Sequence, residues 1–480
     1  MMYTQAIKQP ATKPSYEELE DMLEKALARI AELEKLLEKY IGKHELNSRN
    51  SSKPPSSDEK SKAQPKSERV SSGLASGGQK DHIGYNLVWL SKISQTLIHA
   101  PLGQCECGIE LSTAQVTRVE ERQVIDIPKI ELEATVHRKE TRICRCGRKH
   151  EGEYPKGVEG HVQYGNRIRG QAVYLLNTQF ISLERCQRYF DEMYQVRISQ
   201  GTLVNWQQAA YRDLEAVESQ IRQALSAAEV AHGDETGIHV GGELEWWHSF
   251  STASYTHYHV ATQRGLAGMK LGGIVGEFKG ILSHDCWSAY FKLPCLHALC
   301  NAHLLRELTR VIQISNQTWA SKLKTLLRTM KNSLEENPKL PQTTRILLQQ
   351  QFRELVAQGL LENPAVVRTE QTKTTRGAVK QSFARSLLLR LERYQDSWLR
   401  FLFDARVPFD NNLAERDVRM VKVREKVSGG SRGAGAVWFA RIRGYVSTLR
   451  KQNQNVYQAL VQLFAGNVVL PASLILPNTS

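Results

Sequence analysis

At 480 residues, with 64 lysines and arginines against 50 acidic residues and a formal charge of +14, the chain has room for about three globular units. That length excludes a single small binding module, and the basic excess points to a polyanionic partner, nucleic acid first; the plainer alternative is that the charge only maintains solubility. No segment reaches the roughly 18 apolar residues that span a bilayer and no secretory leader is legible, so a cytoplasmic protein without a membrane partner is expected, its eight cysteines reduced.

From Ser15 to Ile41, Leu19, Ala26, Leu33 and Tyr40 form one seven-residue series and Leu23, Ile30 and Leu37 another. Placed at d and a, they predict a coiled coil over residues 15–42 that makes a homo-oligomer; one amphipathic helix packed on the protein's own body is the alternative. Residues 43–82 turn to Ser, Lys, Pro and Gly, as in NSSKPPSSD, and read as a basic disordered linker.

Residues 100–155 hold two knuckles, Cys105-Glu-Cys107-Gly and Cys144-Arg-Cys146-Gly. Between them VTRVEERQVIDIP and IELEATVHRKETRI alternate apolar and polar residues as hairpin strands do. The expectation is a zinc-ribbon-like domain in which Cys105, Cys107, Cys144 and Cys146 bind one structural zinc. The spacing within each knuckle is tighter than usual, which leaves reduced, metal-free thiols as the alternative. Over residues 160–228 the pattern becomes helical: RIRGQAVYLLNTQF, LERCQRYFDEMYQ and, capped by Ser199, SQGTLVNWQQAAYRDL. A helix-turn-helix-like DNA-binding domain, with Gln200, Thr202, Asn205 and Gln208 toward a groove, and an ordinary helical bundle fit equally.

Beyond Leu225 the period shortens. AEVAHGDET, LEWWHSFSTAS, THYHVAT and GILSHDCWSAY read as strands, the last two separated by a helix-like stretch, and the region looks α/β. Asp234 and Asp285 each follow a short apolar strand, where carboxylates converge at the end of a sheet and can share divalent ions. Cys295, His297, Cys300 and His303 form a dense cluster; the apolar run LPCLHALC favours a buried strand leading into a helix over a second zinc site, with His303 and Arg306 on the catalytic side. A basic helical insertion follows, about residues 315–403. In PFDNNLAERDVRMVKVREK, Asp410 caps a helix on which Asn411, Glu415, Arg419 and Lys422 share a face, opposite Leu413, Met420 and Val421, which are expected on the sheet. Taken blandly, Glu415 only complements the helix N-terminus and pairs with Arg419, and the aspartates are ordinary strand-end caps.

HGDET, HDCWSAY, CNAHLLREL and DNNLAERDVRMVKVREK, in that order and preceded by NSSKPPSSD, resemble the catalytic subunit of the IS66 family of insertion-sequence transposases over nearly the whole chain. The resemblance implies a multidomain α+β chain with a ribonuclease H-like α/β catalytic core over residues 229–450, interrupted by the insertion and followed by a tail over 451–480. It implies that Asp234, Asp285 and Glu415 are the acids of an Asp-Asp-Glu transposase, which cleaves transposon end repeats and joins them to target DNA, in the bacterial cytoplasm at the nucleoid, with small accessory proteins of the same element as partners. Converging acids would hold two Mg²⁺ ions, Mn²⁺ substituting, and Arg416, Arg419, Lys422, Arg424 and Lys426 would lie along the DNA phosphates, with the glycines of SGGSRGAGA letting backbone approach the strand. The chain reads CNAH where the family shows CWAH, and its knuckles are tighter than the common form. A non-catalytic zinc and helix-turn-helix DNA-binding regulator, or a nuclease of the same fold, are the rival readings.

Overall fold

A computed structural model describes residues 15–17, 20–26, 29, 86–367 and 379–471. The expected linker and most of the coiled-coil seam lie outside the described residues; those described between Tyr16 and Arg29 are helical, with Met22 and Leu23 exposed. The chain divides into two units, Gln64–His137, and Met1–Ala63 with Arg138–Ser480. No helix among the described residues is long and apolar enough to cross a membrane.

In the Gln64–His137 unit the described residues, 86–137, carry no β-ladder. Their order comes from a turn closed by Gly108 N donating to Cys105 O (2.8 Å), a single bridge between Gln104 and Glu110, and the Gln123 amide, which bonds both backbone groups of Leu90 (2.7 and 2.9 Å). The hairpin expected from VTRVEERQVIDIP and IELEATVHRKETRI is corrected accordingly: only the last three residues, Thr141–Ile143, pair in a ladder. An alternating sequence becomes a strand when a neighbour takes its backbone groups and covers its apolar face, and Val116, Val119, Val124, Ile127 and Val136 are exposed instead.

In the other unit, β1 (Thr141–Ile143) and β2 (Lys149–Glu151) form an antiparallel hairpin around the second knuckle. Four helices follow: α1 (Asn166–Thr178), α2 (Leu183–Tyr194), α3 (Gln200–Asp213) and α4 (Glu215–Ser226). Ser182 and Ser199 cap α2 and α3, each hydroxyl accepting the backbone N–H three residues on, so the expected start of α3 is observed. A five-stranded sheet comes next, from β3 (Val230–Val240), β4 (Glu243–Ser251), β5 (Thr256–Ala261), the short helix α5 (Leu266–Lys270), β6 (Ile281–His284) and β7 (Leu296–Leu299), in the order β5-β4-β3-β6-β7. β3, β4 and β5 are an antiparallel meander, whereas β6 runs parallel to β3 and β7 parallel to β6.

From β7 the run LPCLHALC passes directly into α6 (Asn301–Ser315), as its composition predicts, but it is buried only in part: Ala298, Leu299 and Cys300 are covered, whereas Leu296 is 52% exposed at the edge of the sheet. The insertion consists of α7 (Thr318–Glu336), α8 (Gln342–Glu362), α9 (Phe383–Arg393), α10 (Gln395–Trp398) and α11 (Arg400–Phe403), whose apolar centre of Trp319, Leu327, Phe352 and Leu388 is continuous with Ile281, Ala298 and Leu299 of the sheet. Then come α12 (Asn412–Ser428), α13 (Gly435–Lys451) and α14 (Val456–Phe464). The last is a correction to the expected tail: Asn455 caps α14, which packs on α1 so closely that a Cβ at Gly170 would stand 2.9 Å from the Val461 nitrogen. Consequently the helices of residues 160–228 share one core with α13 and α14.

Candidate active site

Asp234 was expected just after a strand, but β3 continues through it to Val240 because β4 pairs with it along its whole length. What ends near Asp234 is the parallel pairing with β6, whose last registered partners are His232 and Ser283. Asp285 directly follows the end of β6 at His284, so both aspartates lie just beyond the end of that parallel pairing. Each carboxyl is oriented locally. Asp234 Oδ1 accepts from Glu235 N (2.9 Å) and Asp285 Oδ1 from Trp287 N (3.0 Å).

Glu415 is far away in sequence, and Asn411 brings it in. The Asn411 side chain is buried; its Oδ1 meets His232 Nδ1 (2.8 Å), its Nδ2 donates to Gly233 O (2.9 Å), and its backbone N donates to Cys300 Sγ (3.2 Å). The cap position is Asn411 rather than the expected Asp410, whose Oδ1 accepts from Asn412 N (3.1 Å) where the chain enters α12, and Glu415 falls in the first turn. The helix then runs beside β3: Lys422 Nζ donates to Gly237 O, and Glu425 Oε1 accepts from His239 N (2.9 Å). Its buried stripe is Ala414, Val418 and Val421, of which Val418 and Val421 cluster with Ile238, Trp247 and Tyr258. Of the expected packing face Val421 is buried and Met420 partly so, whereas Leu413 is outside that stripe. Asp234, Trp247 and Tyr258 share one face of the sheet by strand alternation, the face α12 covers.

Burial raises the pKa of all three acids. Asp234 stands well above the ordinary carboxylate range, through burial first and then the charges of Glu235, Asp285 and Glu415. Asp285 is pushed up to about 6 by burial and Glu235, against the opposing pull of its Trp287 hydrogen bond and Arg264. Glu415 is raised by burial, with Arg306 opposing. Asp234 thus senses both other acids through space and Glu415 senses Asp285, and a cation would steady all three.

Glu415 Oε1 has three further neighbours from the start of α6: His303 Nδ1 at 3.4 Å, Arg306 Nη2 at 3.5 Å and Cys300 Sγ at 3.9 Å. Burial lowers the His303 pKa to about 4 and raises that of Cys300 to about 12, so at neutral pH both are uncharged. Of the four-residue Cys and His cluster, only Cys300 and His303 reach Glu415; His297 Nδ1 meets His284 Nε2 instead (3.1 Å).

On the opposite face of β3 lies a buried carboxylate that sequence reasoning missed. Glu235 Oε1 takes two hydrogen bonds from Arg264 (3.0 and 2.8 Å), and its other oxygen takes one from Tyr290. The Arg264 guanidinium in turn lies 4.2 Å from the Trp287 ring and 5.0 Å from that of Trp246. The signal was an acid in the middle of a buried strand, but partners 29 and 55 residues away cannot be read from periodicity.

Residues 161–437 match the Transposase IS66 family. The chain belongs to that family. Residues 6–87 match a family of unknown function (DUF6444), and no curated protein matches. A solved chain from the simian T-cell lymphotropic virus intasome in complex with the PP2A regulatory subunit B56 gamma is similar at 14% identity, covering 44% of this chain and 78% of that chain, with a TM-score of 0.14.

As an IS66-family transposase the protein takes part in DNA recombination, and the cations expected to meet DNA divide into two sets. Arg416, Arg419 and Lys426 are exposed. Lys422 is half-buried and pairs with Glu425 (2.9 Å). Arg424 departs from the expectation: it lies 4.1 Å over the Phe439 ring, donates to Ser431 Oγ (2.7 Å), and is lowered to about 10 by burial. The glycine segment behind it docks on the sheet as well, with Ser431 N donating to His239 O (3.1 Å) and Gly430 against the His239 backbone. In each cysteine knuckle a glycine with positive φ, Gly108 at 85° or Gly147 at 86°, closes the turn, and all four thiols are free and exposed.

Proposed function

We propose that this transposase cuts DNA at transposon ends and joins the ends to target DNA by divalent-metal phosphoryl transfer, with Asp234, Asp285 and Glu415 as the metal ligands on a ribonuclease H-like sheet. The observation that carries the reading is the Asn411 latch, which fastens the helix bearing Glu415 to Gly233, immediately before Asp234 and beside the strand that delivers Asp285. The sheet order β5-β4-β3-β6-β7, with an antiparallel meander and two parallel strands, supports the fold. Carboxylate oxygens whose pKa values rise chiefly through burial suit a hard cation, Mg²⁺ or Mn²⁺. When bound there, two such ions activate water and stabilise the leaving 3′ oxygen, for hydrolysis and then for strand transfer.

The chain's own groups do the rest. Asn411 and Asp410 fix the first turn of α12, so Glu415 is presented without rearrangement. Arg306 offsets part of the Glu415 charge and can hold a phosphate oxygen, while neutral His303 keeps a buried Nδ1 unpartnered beside it, free to orient water or phosphate. Arg416, Arg419 and Lys426 offer phosphate contacts from the exposed side of α12. The proposal extends to structural zinc held by thiols of the knuckles, supported by two cysteines on each glycine-closed turn, and to self-association through residues 15–42, supported by the heptad series. Accessory proteins of the same element are proposed on family grounds alone.

The test is Asp234→Asn, Asp285→Asn and Glu415→Gln, each assayed for DNA binding and for Mg²⁺-dependent cleavage and joining of an end-containing duplex. All three should lose several orders of magnitude, roughly 10³ or more, in cleavage while binding persists with its salt dependence. A variant that cuts near the parent rate removes its residue from the ligand set, and cleavage by the parent without any joined product assigns a nuclease instead.

A further inference from the structure

Cys300, His303 and Glu415 place a thiol, an imidazole nitrogen and a carboxylate oxygen within 4.8 Å of one another. Two of the separations are Nδ1 to Oε1, 3.4 Å, and Sγ to Oε1, 3.9 Å. Around a tetrahedral zinc ion, with bonds of about 2.3 Å to sulfur and 2.0 Å to nitrogen and oxygen, the same pairs stand about 3.3 and 3.5 Å apart. Both of these separations are therefore within a few tenths of an ångström of zinc-binding values before any ion arrives, and the third is under 4.8 Å. The donors also sit on rigid elements, the first turns of α6 and α12 and the residue that caps α6.

Two details mark these atoms as a site rather than a chance meeting. The His303 Nδ1 is buried without a hydrogen-bond partner, facing Glu415. The Cys300 Sγ receives the Asn411 backbone N–H, an outer contact of the kind that steadies a metal-bound thiolate. The Arg306 guanidinium at 3.5 Å opposes a second cation, but its side chain is partly exposed and can turn to solvent.

We propose that Cys300 Sγ, His303 Nδ1 and Glu415 Oε1 bind one Zn²⁺, with water in the fourth position, and that zinc there withdraws Glu415 from the cleavage site and switches the transposase off. The Cys300 thiol releases its proton to solvent as the S–Zn bond forms. A sulfur, nitrogen and oxygen donor set selects zinc over magnesium, which takes oxygen ligands and no thiolate. Zinc binding stands by itself, whereas the switch rests on the reading of Glu415 as a ligand of the cleavage metal.

The experiment measures zinc uptake by the metal-free full-length chain in competition with a chromophoric chelator, beside Mg²⁺-dependent cleavage. The parent should take up about one equivalent more than either Cys300→Ser or His303→Gln, since zinc held by the other cysteines is common to all three. Asp234→Asn should take up as much as the parent. Micromolar free zinc should lower parental cleavage by about tenfold or more in the presence of Mg²⁺, and chelator should restore it. Equal uptake by the parent and both variants overturns the site, and if thermal melting shows Cys300→Ser unfolded, His303→Gln decides. Uptake without inhibition overturns the switch. Failure of the cleavage reading is seen separately, as Asp234→Asn cutting at the parent rate with its zinc count unchanged.

Discussion

Trp247 on β4 and Val124 in the Gln64–His137 unit both belong to segments that read as strands in the sequence, and they end in opposite surroundings, 1% and 90% exposed. Trp247 has β3 on one side, β5 on the other, and Tyr258 and Phe439 against its ring at 5.0 and 5.4 Å. Val124 has no strand beside it among the described residues. The contrast teaches that alternation prepares a face but does not create a strand; a ladder needs a second backbone to take its hydrogen bonds and a second layer to cover the apolar side.

The largest effect expected from this contrast is on stability. Trp247→Ala should cost about 3 to 5 kcal/mol in urea unfolding, whereas Val124→Ser should stay within about 0.5 kcal/mol. A Val124→Ser loss as large as that of Trp247→Ala would break the comparison, because it would mean that the segment is packed in solution.

Next in size is a pH effect confined to the packed side. Asp285, raised to about 6 by burial and Glu235, ionises near 3.9 when unfolded. Folding therefore favours its protonated form, so its stabilising contribution is whole below about pH 4 and is lost as the pH rises through about 6. Without divalent ions, the melting temperature of the parent should fall relative to Asp285→Asn across that window, and Mg²⁺ should recover the difference at neutral pH. A difference that does not change with pH would show that the carboxyl is solvated.

The smallest effects separate two faces of one helix. Arg424→Ala, losing its stack on Phe439 and its bond to Ser431, should destabilise by about 1 to 2 kcal/mol and leave the salt dependence of DNA binding unchanged. Arg419→Ala should do the reverse, changing stability by under about 0.5 kcal/mol and reducing the salt slope by about 0.9. If the two exchange behaviour, Arg424 meets the DNA and the inward placement is wrong.

The sequence by itself determined what local chemistry encodes. Ser182 and Ser199 mark helix starts because their hydroxyls satisfy N–H groups only a few residues on, and LPCLHALC reads as a strand entering a helix because its apolar run and its following period are both local. The order of HGDET, HDCWSAY and DNNLAER carried the family, which the match over residues 161–437 then established. Tertiary structure alone decided which of these faces meet. That Asn411 spans from Cys300 to Gly233, that Glu235 is claimed by Arg264 and Tyr290, that Arg424 turns inward among five similar cations, and that residues 456–464 are a packed helix rather than a tail all depend on contacts between residues distant in the chain. The physical reason is that periodicity fixes a side chain's direction relative to its own backbone, whereas burial and partners depend on where every other element comes to rest.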